Sequence, residues 1–216
     1  MAIKPKLYVE GVDDLHTTIH LLQRHGVNMG TKPVEIFTSG GDDGLLSDMA
    51  SLTRLASDYP IGFVLDMDTK AEDRWKSVTE RLEGVGLSLP PACPAEGYLG
   101  KLPGYAHQVG VWLMPDCVAD YGKLEHLLKT LVPANDPVWA RAEACTDAAR
   151  VDGASFSDPD RIKAVVHCWL AWQSAPGTPF GTAIKAHFFS HDSKEARAFL
   201  RWMRGLFGLG ELAPRA

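Results

Sequence analysis

Glu10 closes the apolar run "KLYVEG", and Asp66 and Asp68 close "IGFVLDMD". Two aspartates one residue apart repel each other, and each is costly to desolvate unless a cation meets it. If the strand persists to residue 68, the two-residue period of extended chain puts both carboxylates on one side. There they would converge on one divalent ion, or on two about 4 Å apart. Oxygen-only ligands suit Mg²⁺ or Mn²⁺ rather than zinc. Glu10 precedes Gly11, whose missing side chain lets another group approach closely. Such a set supports metal-assisted chemistry at phosphate.

Further acids follow the same rhythm: Asp13 and Asp14 after Glu10, Asp116 at the end of "GVWLMPD", and Glu125 on the helix after it. Each has a structural alternative. Asp13 reads as a helix N-cap, Asp14 as a favourable first-turn charge, and Asp68 as the cap of the next helix. Thr69 with Glu72 at capping-box spacing offers that helix a different cap. "TSGGDDG" sets Gly40 and Gly41 before a helix N-terminus, where backbone N–H groups can hold phosphate; without a Walker lysine, a plain turn is the competing reading. "HTTIH" spaces His16 and His20 as a zinc pair but lacks the HExxH glutamate and a third ligand, and reads as helix surface.

These residues need a scaffold. Apolar runs at "KLYVEG", "VEIFTSGG", "IGFVLDMD" and "QVGVWLMPD" alternate with amphipathic stretches such as "DDLHTTIHLLQRHG" and "TKAEDRWKSVTERLEGVG". The alternation predicts parallel strands joined by right-handed helical crossovers, an α/β fold with a four-stranded sheet over residues 1–133. Residues 84–104, rich in Pro and Gly, are expected as an irregular insertion. Three helices follow in 134–216 as a C-terminal extension packed on the sheet: two open with Asp-Pro, and the third with Asp192 and Glu195 at capping-box spacing. Trp169 and Trp172 lie three apart, Trp202 lies in the last helix, and all three read as core rather than as base-stacking surface. Arg197, Arg201 and Arg204 with Lys194 make the last helix the most basic stretch.

With 216 residues, 45% of them hydrophobic and 23% charged, the chain has the composition of a soluble globular protein. It has no export signal and no membrane-spanning run, so the expectation is cytoplasmic. Its four cysteines are irregularly spaced and expected as free thiols. The net charge of −5 excludes a general basic field for nucleic acid. A nucleic-acid enzyme of this composition needs metal ions or a basic partner to meet phosphate.

"YVEG" with Glu10, "VLDMD" with Asp66 and Asp68, "GVWLMPD" and "KAVVHCWLAWQ" together resemble Toprim domains. The narrower resemblance is to small Toprim-like proteins related to the overcoming-lysogenization-defect nucleases. It implies that the strands ending in Glu10 and Asp66 are neighbours. It also implies that Glu10, Asp14, Asp66 and Asp68 hold Mg²⁺ or Mn²⁺, with Glu125 as a later acid and Lys163 or Lys185 as the assisting lysine. The implied activity is hydrolysis of DNA or RNA phosphodiesters, with an ATPase partner by family analogy and a homo-oligomer as one form. A non-catalytic scaffold that binds metal or nucleotide, and an enzyme of small phosphate esters, use the same residues.

Overall fold

The computed structural model describes residues 4–40, 42–68 and 70–212. In chain order its elements are β1 (Lys6–Val9), α1 (Val12–Arg24), β2 (Glu35–Thr38), α2 (Asp42–Thr53), β3 (Ile61–Asp66), α3 (Ala71–Glu83), β4 (Tyr98–Gly100), β5 (Val109–Met114), α4 (Leu124–Thr130), α5 (Pro137–Val151), α6 (Arg161–Ala171), α7 (Phe180–Lys185) and α8 (Lys194–Phe207). The sheet order is β2-β1-β3-β5-β4, parallel except for the antiparallel β4–β5 edge. "IGFVLD" and "VGVWLM" are apolar almost throughout because β3 and β5 lie at the centre, covered on both faces. The fold is α/β with helices flanking a mostly parallel sheet.

The sheet has five strands rather than the expected four. β4 lies inside the Pro/Gly-rich stretch expected to be irregular, and it pairs Tyr98, Leu99 and Gly100 with Val111, Gly110 and Val109. Three residues are too few to show a strand period, so this edge is set by its partner rather than by local pattern. Four helices, α5 to α8, and not the expected three lie in residues 134–216 among the described residues. The additional α7, "FGTAIK", is a six-residue turn and a half that follows the Pro/Gly-rich "SAPGTP".

Caps also differ from expectation. Asp136 caps α5 as its Asp-Pro start implies, accepting from the N–H groups of Val138 and Trp139 at 2.7 and 3.3 Å. The second Asp-Pro, however, opens a short 3₁₀ turn, Asp158–Asp160, and α6 starts only at Arg161. Ser193, not Asp192, caps α8, accepting from Ala196 N–H at 3.0 Å. The N-cap of α3 is Lys70, so Glu72 sits one position too early for a capping box. Thr69, the expected cap, lies outside the described residues.

One buried cluster runs from β1 through α8, so the C-terminal helices share the core of the sheet. Trp112, Trp169 and Trp202 belong to it, whereas Trp172 is exposed. All four cysteines are free, and no helix among the described residues is long and apolar enough to cross a membrane. α8 reaches the sheet through paired glycines: Gly62 and Gly110 are register partners on β3 and β5, and together they leave a trough for Leu206. A Cβ built at Gly110 would lie 2.6 Å from Leu206 and 3.0 Å from Trp202. Gly110→Ala is therefore expected to destabilise the protein by about 1–3 kcal/mol through overpacking, measured by urea denaturation. A loss below about 0.5 kcal/mol would contradict this packing.

Candidate functional site

The parallel register pairs Val9 with Val64, so Glu10 and Asp66 leave adjacent strands at the same edge. Glu10 Oε1 accepts the Asp66 backbone N–H at 3.1 Å, and Asp66 Oδ1 accepts the N–H of Leu124, the first residue of α4, at 3.0 Å. Two carboxylates thereby tie β1, β3 and α4 together. Asp14 Oδ2 accepts the Gly11 N–H at 3.1 Å. Gly11 is the N-cap of α1, so Asp13 is a first-turn residue and not the cap. An added Cβ on Gly11 would stand 3.2 Å from that same Asp14 oxygen. Glu125, in the first turn of α4, is 6% exposed, and Lys163 Nζ lies 3.9 Å from its Oε1.

These acids act on one another. Burial, followed by the charges of Asp14, Glu10, Glu125 and Asp68, pushes the Asp66 carboxyl well above the usual carboxylate range. Burial raises Asp14 to about 6; Glu125 adds to the rise and the Gly11 N–H opposes it.

Asp68 is placed differently from the expectation. β3 ends at Asp66, and Asp68 has φ +55°, which breaks the two-residue alternation that would align the two side chains. Its backbone bridges to Gly122, donating at 2.9 Å and accepting at 3.3 Å. Its side chain forms an ion pair with the buried Arg74, and Lys123 Nζ lies 3.8 Å from Oδ1. Asp68 is no helix cap, since Lys70 holds that position for α3. Asp116 turns inward on its own loop, accepting from Val118 and Ala119 N–H at 3.1 and 3.0 Å.

Two cations here escaped the sequence reading. Lys123 lies 3.8 Å from Asp68 and 3.4 Å from Asp160. Burial opposes its charge, but the hydrogen bond to Asp160 and the charges of Asp160, Asp68 and Asp66 outweigh it and raise the amine. Arg74 carries no sequence signal beyond its place on an amphipathic helix. Lys123 has one faint signal, its position directly before the helix bearing Glu125. Asp68, Tyr121, Lys123, His126 and Arg161 are among the residues lining a cavity of about 390 Å³ at this edge.

The remaining candidates are not joined to the acids. Lys185 ends α7, which packs along α1, and its charge helps lower His20 after burial has done so; it makes no ion pair with the carboxylates. Gly40, at φ +77°, turns the chain between β2 and α2, and Gly41 lies outside the described residues. Among the described residues, no three His, Cys, Asp or Glu side chains stand as a ready-made group for a metal ion. Glu10 is turned to a backbone N–H and Asp68 to Arg74. The donor chemistry nonetheless fits Mg²⁺ or Mn²⁺: the set is all carboxylate, and a divalent cation would relieve the repulsion that raises Asp66 and Asp14.

A family model described as "Protein of unknown function (DUF3226)" matches residues 4–208. The chain belongs to this family. The search of curated proteins gives no match. Among solved structures, this DUF3226 chain is similar to the C-terminal region of the Burkholderia pseudomallei OLD protein, with a TM-score of 0.50 and 14% identity over 94% of this chain and 98% of that one. It is also similar to the C-terminal region of the Xanthomonas campestris pv. campestris OLD protein, with a TM-score of 0.50 and 12% identity over 95% of this chain and 94% of that one. At these identities the DUF3226 chain shares a fold with both.

The raised carboxyls have a consequence for stability. A carboxyl whose native pKa lies above its unfolded value holds extra protons in the native state, so stability present at low pH is lost as pH rises toward the native pKa. For Asp14 that window runs from about 4 to about 6. Asp66→Asn, which keeps an acceptor for Leu124 N–H, is expected to stabilise the metal-free protein by about 1 kcal/mol or more above pH 6 and to flatten its pH dependence, measured by thermal melts in EDTA. A variant less stable than wild type at pH 7.5 would contradict the assigned repulsion.

Proposed function

We propose that this protein is a divalent-metal-dependent nuclease of Toprim type that hydrolyses phosphodiester bonds in DNA or RNA. The observation that carries the reading is the convergence of Glu10, Asp14, Asp66, Asp68 and Glu125 into one electrostatic field at the edge where β1 and β3 end. The fold shared with the OLD C-terminal regions and the Toprim-like motifs support it.

Glu10, Asp14 and Asp66, with Asp68 and Glu125, are the residues that would hold Mg²⁺ or Mn²⁺. Such ions supply a water of lowered pKa and stabilise the departing oxygen of a phosphodiester. The chain's own groups set the geometry. Backbone N–H groups fix one oxygen each of Glu10 and Asp66, so these side chains meet a ligand in a defined orientation. Lys123, kept protonated by Asp160 and Asp68, offers its ammonium to the charge that builds on the phosphate, and Lys163 stands in the same relation to Glu125. Arg74 holds Asp68 from the side of α3.

By the same family analogy, cleavage is controlled by an ATPase partner that meets the acidic chain on its substrate. The test is cleavage of plasmid DNA, single-stranded DNA and RNA in Mg²⁺ or Mn²⁺. Glu10→Gln and Asp66→Asn are expected to lose activity by about 10²-fold or more, Lys123→Met by a comparable factor, and Lys185→Met to change it little. Cleavage that persists in Asp66→Asn would remove the site assignment.

A further inference from the structure

The exposed face of α8 carries Arg197, Arg201 and Arg204, while Phe199, Leu200, Trp202, Met203 and Leu206 are buried. At 3.6 residues per turn the three arginines fall within about 60° of one another and span about 10 Å of helix axis. Like charges at these spacings repel by about 0.2–0.5 kcal/mol per pair, and no acid stands three or four residues from any of them. Arg197 is 3.4 Å from Asp192, whereas Arg201 and Arg204 have no ion-pair partner among the described residues.

The corner of α1 that shares this face adds to the charge. His25 is 2% exposed, and its Nε2 donates to the His191 carbonyl at 2.7 Å. Arg24 donates to ring nitrogens of His187 and His191, at 2.7 Å to His187 Nδ1 and 2.6 Å to His191 Nδ1. Among the described residues its charge is met by imidazole acceptors and no carboxylate, and its buried Nε has no hydrogen-bond partner. His25, Arg197, Leu200, Arg201, Arg204 and Leu212 line a cavity of about 220 Å³. The corner therefore gathers Arg24, Arg197, Arg201 and Arg204, with Asp192 the one carboxylate ion-paired to any of them among the described residues, in a chain whose net charge is −5.

We infer that this corner binds the phosphodiester backbone of a nucleic-acid strand. Guanidinium forks match phosphate oxygens two at a time. The 10 Å stripe is about the length over which one strand of a duplex presents three phosphates, at about 3.4 Å each. Leu200 and Leu212 give the cavity an apolar wall of the kind a sugar edge packs against. The corner lies at the end of α1 opposite Asp14, about 15 Å of helix away, so it holds a strand apart from the acids and goes beyond the catalytic reading.

The test is fluorescence anisotropy of a labelled 30-nucleotide single strand with the full chain in EDTA, where binding is independent of cleavage. Arg201→Gln/Arg204→Gln is expected to weaken binding at least tenfold and to lower the slope of log K against log salt by about 1.4, two phosphate contacts on a single strand. Lys76→Gln/Lys101→Gln, which removes two exposed lysines elsewhere, should stay within twofold of wild type. The effect should be the same in an Asp66→Asn background, so loss of cleavage and loss of binding are separable. Absence of binding by wild type, equal affinity of the arginine variant, an equal loss in the lysine variant, or preference for a polyglutamate peptide over the oligonucleotide would each overturn the assignment.

Discussion

The backbone N–H of Asp66 donates to Glu10, and the carboxylate of Asp66 accepts from the N-terminus of α4. These two bonds form only if β1 lies beside β3 and α4 starts over their ends, so the topology of the sheet and the geometry of the acids are a single constraint. The same arrangement brings Asp14 and Glu125 into the field of Asp66. An apolar core does not require that crowding, and burial makes it more costly. The protein tolerates it because each carboxylate is partly met: by a backbone N–H at Glu10, Asp14 and Asp66, and by a cation at Asp68 and Glu125.

The cations are divided between the two ends of the sheet. At the acidic end Arg74, Lys123 and Lys163 are each engaged by a carboxylate. At the far end Arg201 and Arg204 are engaged by no carboxylate among the described residues, and Arg24 is met by imidazoles. A negatively charged chain thus sets three guanidiniums without a carboxylate partner, Arg24, Arg201 and Arg204, at one helix and one helix end, away from the residues that would hold metal.

Much of this arrangement could be read from residues alone. Glu10 and Asp66 stand out because each ends an apolar run, and β3 and β5 are apolar enough to predict a central position. Asp68 was legible as an acid but not in conformation: its positive φ follows from a bridge to Gly122, a contact that no local pattern announces. Lys123 was missed for the same reason, since its role depends on Asp68 and Asp160 arriving from distant segments. β4 and α7 are too short to display a period, and both depend on partners in space: β4 on β5, α7 on α1. The α8 cap shifted by one residue because both Asp192 and Ser193 are good cap residues, and only backbone geometry chooses between them.

The central claim is that the crowded acids around Asp66 exist to meet a divalent cation, and calorimetric titration of Mn²⁺ tests it most directly. Repeating the titration in buffers of different ionisation enthalpy counts the protons released. With Asp14 raised to about 6 and Asp66 raised well above the usual carboxylate range, the account predicts Mn²⁺ binding that expels protons at pH 6, expels fewer as pH rises past the range in which Asp14 ionises, and disappears in Asp66→Asn. Binding without proton release, or undiminished binding in Asp66→Asn, would contradict it.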